Sequence, residues 1–165
     1  MPRTGKIQKR QTEPDLIFAS PQVAKLINKV MKDGKKTIAQ KIVYEAFEVI
    51  KQKGEDPLKT LEKALDNISP KMEVKPRRVG GASYMVPIEV RGPRRSSLAI
   101  SWLVDAARSR SSKDFDEKPK NKPLMILKLA TEIMNAATGT GKAFAKREEM
   151  HRMAEANKAF SHFRW

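Results

Sequence analysis

Between residues 72 and 90 the spacing of apolar residues switches from helical to alternating, and this one interruption sets the architecture open to the chain. Met72, Val74 and Pro76 share one face, Val86, Ile88 and Val90 share another, and Gly80-Gly81 stands between them where a hairpin would turn. Pro76 and Pro87 each withhold a ladder donor in mid-strand, so neither strand suits the middle of a sheet. The pattern predicts a two-stranded ribbon without a third strand. Such a ribbon is marginal alone, so its base must rest on helices while its tip projects or binds something.

The flanking segments read as helices. Ser20 as cap, Pro21 at the first helical position and Val23, Ala24, Ile27 and Val30 or Met31 predict a helix over residues 21–31, closed by Gly34. From Thr37, Ile38, Ile42, Ala46 and Val49 recur beside Ala39, Val43, Phe47 and Ile50, a wide apolar face that Gly54 stops. Asp56-Pro57 restarts the chain, and Leu58, Leu61, Leu65 and Ile68 draw a stripe as far as Pro70. Beyond the ribbon, Ala99, Trp102, Leu103, Ala106 and Ala107 predict a helix from Pro93 to about Arg110. Pro123 opens another, with Leu127, Ala130, Ile133, Met134 and Ala137, which Gly139-Thr140-Gly141 ends. The last, charged on most of its circumference, spans about Lys142 to Phe160. Ser111 to Pro123 is too polar to support a packed element and reads as surface loop or disorder. The expected class is mainly α. Residues 15–165 form a single helical-bundle domain of about six helices, a β-hairpin protrudes between the third and fourth, and residues 1–14 form a basic arm.

Charge narrows the partner. Thirty-four Lys and Arg against 19 Asp and Glu give +15 over 165 residues, and self-repulsion of that size destabilises a compact chain unless a polyanion relieves it. A membrane is the weaker reading, because no apolar run approaches the ~20 residues that span a bilayer and the cations are dispersed. Nucleic acid is expected instead. The absence of cysteine removes disulfides, thiolate metal sites and thiol nucleophiles together. No apolar stretch of signal-peptide length follows the basic start MPRTGKIQKRQTEPD, so secretion is not expected.

Candidates for chemistry fail on residue type or spacing. Thr138-Gly139-Thr140-Gly141-Lys142 looks like a phosphate-cradling loop, but Ala136 and Ala143 stand where the Walker pattern needs Gly and Ser or Thr, and a helix precedes it rather than a strand. Helix punctuation explains it better. Glu148 and His151 have the spacing of half a carboxylate di-metal site, yet the second copy and the extra inward carboxylates are missing. His151 and His162, eleven residues apart, lie three helical turns from each other. No catalytic residue, metal, cofactor or small-molecule substrate is therefore expected.

The basic constellations are better candidates. Lys32, Lys35 and Lys36 cluster at a helix–helix turn, where amides of the next helix would add to the attraction for phosphate; a solvated cationic turn is the plainer alternative. Lys75, Arg77 and Arg78 flank the glycine tip, and Arg91, Arg94 and Arg95 sit where the second strand hands over to a helix. Together they would line one edge, and arginine's planar fork suits two phosphate oxygens or an unpaired base. The tip itself, Gly80, Gly81 and Ala82, permits close backbone approach, though a plain turn requirement accounts for its glycines equally well. On the last helix Lys142, Lys146, Arg147, Arg152 and Lys158 mix with Met150, Met153, Phe160, Phe163 and Trp165. Met150 and Phe160 read more simply as core, whereas a terminal Trp165 suits stacking on a base. Arg3, Lys6, Lys9 and Arg10 form either a solvated tail or an arm that orders on RNA.

Four strings carry more than composition does: DGKK at 33–36, KIVYEAF at 41–47, RRVGGASYMVPIEV at 77–90 and KREEMHRMAEANKAFSHFRW at 146–165. In order from about Asp15 to Trp165 the chain resembles the bacterial-type ribosomal protein seven family of the small subunit. The resemblance implies a helical domain with a protruding ribbon that binds the 3′ major domain of small-subunit ribosomal RNA, nucleates folding of the subunit head, and lies near neighbouring small-subunit proteins, exit-site tRNA and outgoing mRNA. It maps the RNA-contacting arm to Arg3 through Arg10, the turn cluster to Lys35 and Lys36, and the ribbon to Lys75 through Arg95. The tRNA-facing elements map to the tip at Gly80 and Gly81 and to the last helix around Arg152. A bacterial cytoplasm and a bacterial-type organelle both fit. The loop Ser111 to Pro123 looks longer than is usual in the family, and an interaction carried by the further tail of some relatives is not expected here. Without the resemblance the strongest rival is an architectural DNA-bending protein, since basic ribbon arms on a helical body also suit the minor groove. An RNA-modifying or nucleolytic enzyme lacks a credible carboxylate pair, metal cluster or cofactor loop.

Overall fold

Short-range signals place the elements where the apolar spacing requires. Asp56 accepts the Leu58 amide at 3.1 Å and Pro57 takes the first helical position, so a helix starts there. Ser20 has the extended backbone of a cap but makes no side-chain cap bond, which leaves Pro21 to start its helix. The computed structural model describes residue 5, residues 12–112 and residues 123–163. In chain order these give α1 (Pro21–Val30), α2 (Lys36–Gln52), α3 (Pro57–Ile68), β1 (Met72–Val79), β2 (Ala82–Glu89), α4 (Gly92–Ser109), α5 (Met125–Ala137), α6 (Gly141–Ala156) and a closing 3₁₀ helix (Lys158–Phe163). The protein is mainly helical, with an antiparallel hairpin between the third and fourth helices.

The core follows from the apolar faces. Leu26, Ile27, Phe47, Ile50, Leu61, Ile68, Leu103, Leu129 and Ile133 are fully buried in one cluster. Each contributes ~1.5–3 kcal/mol on leaving water. The most apolar helix, α5, is central and packs against α2, α3, α4 and α6. Its end is tied to α3 by Asn67, whose Nδ2 donates to the carbonyls of Ala136 and Ala137, both at 3.0 Å.

The ribbon runs in register from Met72 opposite Glu89 to Val79 opposite Ala82. Gly80 and Gly81 turn it with φ of +57° and +89°, the left-handed conformation that a two-residue hairpin turn demands. Val74 faces Pro87 and Pro76 faces Met85, and among the described residues the sheet has two strands only. Residues paired across a ladder share a face, so Val86 and Ile88 lie with Lys75 and Glu73. The buried residue at the base of β1 is therefore Glu73, while Met72 and Val74 are only half-buried.

The last helix departs from expectation. Its α-helical part ends at Ala156 rather than near Phe160, with Asn157 Nδ2 donating back to the Met153 carbonyl at 2.8 Å. The chain then tightens to three residues per turn, which brings Phe160 and Phe163 onto one side. Their rings pack on Tyr84 of β2 at centroid distances of 5.1 and 5.3 Å. That stack secures the ribbon to the C-terminal elements, a contact no local pattern announces.

Candidate nucleic-acid interface

The α1–α2 turn exposes Lys32, Lys35 and Lys36 together. Asp33 and Gly34, with φ of 51° and 73°, make the turn, and the Lys35 amide closes it on the Lys32 carbonyl at 3.0 Å. The N-terminus of α2 has no side-chain cap and no acid in its first turn. The positive end of the helix dipole thus coincides with lysines, the reverse of the usual acidic preference.

The same arrangement recurs at α4. Arg91 holds the cap position without capping, Pro93 lies in the first turn, and Arg94 and Arg95 follow with no acid among them. Arg91 and Arg94 are exposed, and Arg95 is half-buried with Nη2 donating to the Val90 carbonyl at 3.4 Å. With Lys75 they line an open cleft of ≈740 Å³ between the ribbon base and α4. At its floor lies Glu73, whose carboxylate accepts Arg94 Nε at 2.7 and 3.0 Å and Lys75 Nζ at 3.1 Å. Burial alone would raise the Glu73 pKa, but the hydrogen bonds and charges of Arg94 and Lys75 outweigh it and hold the carboxyl below its ordinary value.

The pleat divides the remaining ribbon cations. Arg77, opposite Tyr84, shares a face with Lys75, and Arg78, opposite Ser83, points from the other face. Both are exposed, as are Gly80, Gly81 and Ala82 at the tip. The ribbon therefore presents cations on two sides rather than along a single line.

On α6 three of the expected cations are already partnered. Lys142 Nζ donates to the Ser109 carbonyl at 3.2 Å, Lys146 pairs with Glu149 at 3.0 Å, and Arg147 pairs with Glu148 at 2.9 Å. The Arg147 guanidinium also lies 4.2 Å from the centre of the Phe144 ring, so much of this side chain is spent inside the protein. Arg152 and Lys158 are exposed, Met150 and Phe160 half-buried, and Met153 is 38% exposed. Arg3, Lys6, Lys9, Arg10 and Trp165 lie outside the described residues, as do residues 113–122 of the lysine-rich loop.

Glu132 and Glu73 were missed by the pattern reading. Glu132 is fully buried on α5, accepting the Ala143 amide at 2.9 Å and Arg110 Nε at 2.7 Å. A Cβ on Gly141, whose φ is +93°, would stand 2.9 Å from Glu132 Oε1. The glycine-rich segment is thus helix punctuation, and the anion at the α6 N-terminus is the chain's own carboxylate. The available signal was an acid set among Leu129, Ala130, Ile133 and Ala136. Asp15 is a third buried acid, satisfied by the amides of Ile17 and Phe18 and the Tyr44 hydroxyl at 2.8 Å. His151 Nε2 accepts the Lys71 amide at 2.9 Å, and among the described residues no group of three His, Cys, Asp or Glu side chains is placed to hold a metal.

Among the described residues no helix is long and apolar enough to cross a membrane. A family model described as Ribosomal protein S7p/S5e matches residues 2–158. The chain belongs to this family. It is 58% identical over the full length of both chains to a protein of Caldicellulosiruptor bescii named small ribosomal subunit protein uS7. Proteins of the same name from Thermoanaerobacter pseudethanolicus and Thermotoga neapolitana are 55% and 54% identical, over 100% and 99% of each chain. Within this S7p/S5e member, the ribbon cluster and the turn cluster are thus separate groups of cations on a helical body.

Proposed function

We propose that this protein is a structural component of the small ribosomal subunit in a bacterial cytoplasm, that it binds ribosomal RNA, and that it makes and breaks no covalent bond. Family membership and the names of its relatives support the reading. The structural observation that carries it is the placement of cations at the uncapped starts of α2 and α4. A like charge at a helix N-terminus costs about 0.3–1 kcal/mol where an acid would stabilise, so the isolated protein gains nothing from the arrangement. A phosphate seated there turns both dipole and side chains to advantage.

The RNA partner in this reading is the 3′ major domain, with Lys32, Lys35 and Lys36 at one station and Lys75, Arg77, Arg78, Arg91, Arg94 and Arg95 at the other. Holding both on one scaffold fixes two RNA segments in a single junction geometry, which is how the protein would nucleate folding of the subunit head. The ribbon tip at Gly80 to Ala82 and α6 at Arg152 are the elements assigned to exit-site tRNA and outgoing mRNA, and neighbouring small-subunit proteins flank them.

Binding to a transcript of the 3′ major domain, titrated with salt, tests the proposal. Neutralisation of ~6–10 phosphates should lower affinity by ~10³–10⁵-fold between 50 and 200 mM salt. A flat response, or duplex DNA competing as well as the RNA, would overturn it in favour of another partner or of an architectural DNA-bending role.

A further inference from the structure

We infer that Glu73 is a positioning residue for RNA contact, ordering Lys75 and Arg94 from beneath so that two mutually repelling cations present one fixed surface. The inference rests on the RNA-binding reading above. Glu73 is 5% exposed and faces inward at the ribbon base, opposite Ile88 and on the same face as Val86. An apolar side chain there would pack without the cost of burying a carboxylate, so stability does not call for an acid. Net attraction for a polyanion does not call for one either, because a negative charge at the floor of the cleft lowers the local positive potential.

The geometry supplies the reason. One carboxylate holds Arg94 Nε at 2.7 Å and Lys75 Nζ at 3.1 Å, joining the strand to the first turn of α4, 21 residues further along the chain. The bonds to Arg94 use Nε, and the side chain is 53% exposed, so Glu73 leaves its terminal fork unused. A fork already oriented loses less freedom when it takes two phosphate oxygens. Lys75 is 49% exposed beside it, so both cations are tethered without being withdrawn.

The test turns on sign. Glu73→Gln raises the net charge by one. If the acid acted only as a charge, affinity for the 3′ major domain transcript would rise or stay level; positioning requires it to fall, by about tenfold, the size of one ordered charged hydrogen bond. The fall should disappear in a background that carries both Lys75→Ala and Arg94→Ala. Arg94→Lys, at an exposed position and with charge retained, should weaken binding similarly, and it serves if Glu73→Gln fails to fold by circular dichroism. Equal or tighter binding by Glu73→Gln, a loss that persists without both Lys75 and Arg94, or unchanged binding by Arg94→Lys overturns the inference. Failure of the unaltered protein to bind in a salt-dependent way would instead overturn the RNA-binding reading itself.

Discussion

His151 on α6 accepts the backbone amide of Lys71, the residue before β1, through Nε2 at 2.9 Å. Only a ring without a proton on Nε2 does this, so the neutral imidazole joins the ribbon base to the C-terminal helix. Burial, with the Arg147 and Lys71 charges adding to it against Glu148, holds the His151 pKa below its ordinary value of 6.5. A depressed histidine pKa means the unfolded chain binds the proton more readily, so this contribution is complete above about pH 6.5 and is lost as pH falls toward the folded-state value. The melting temperature should therefore fall between pH 7 and pH 5 more in the unaltered protein than in His151→Gln, whose amide oxygen accepts the same bond without titrating. Parallel pH profiles would remove His151 from the account.

The buried Glu132–Arg110 pair should be costly to break from one side. Glu132→Ala strands a guanidinium that is 12% exposed and removes the acceptor for the Ala143 amide. A loss of about 3–5 kcal/mol in denaturant unfolding is expected. Gly141→Ala attacks the same node through backbone strain at φ +93° and crowding of the carboxylate, with an expected cost of about 1–3 kcal/mol. If both variants unfold like the unaltered protein, the node does not hold the α6 start.

Phe160→Ala should loosen the ribbon and spare the bundle. Phe160 packs on Tyr84 of β2, not in the α5-centred core. Hydrogen exchange of the β1 and β2 amides should quicken, reflecting a local loss of about 1 kcal/mol, while the amides of α5 keep their protection. Uniform acceleration across the chain would show instead that the ribbon and bundle open together.

Removing exposed cations should weaken RNA binding without disturbing the fold. Arg77, Arg78 and Arg91 are exposed and outside the core, so their combined replacement by alanine should leave the far-ultraviolet circular dichroism unchanged. If each neutralises one phosphate, the slope of log affinity against log salt becomes shallower by about 2–3. An unaltered slope would place the RNA elsewhere on the surface.

The helices, their order and the single ribbon were legible from residues alone because each depends on neighbours a few positions away, whereas the ribbon cations expected along one edge lie on two faces. Pro57 after Asp56, the glycine pair at 80 and 81, and the alternation from Met72 to Val90 act within one turn or one hairpin. Net charge needs no geometry at all, and it narrowed the partner to a polyanion before any contact was known.

Tertiary contact settled what the charged and aromatic side chains do. Alternation alone does not separate Glu73, which is buried, from Glu89, which is exposed, and the apolar neighbours of Glu132 mark its burial without naming its partners. The difference lies in Arg94, Arg110 and the Ala143 amide, brought to them from 21, 22 and 11 residues away. The link from Lys71 to His151 crosses 80 residues, and the rings of Phe160 and Phe163 find Tyr84 only once α6 has packed on the ribbon. A buried charge survives only with its partner in place, and a partner that distant is supplied by the packed fold, not by the spacing along the chain.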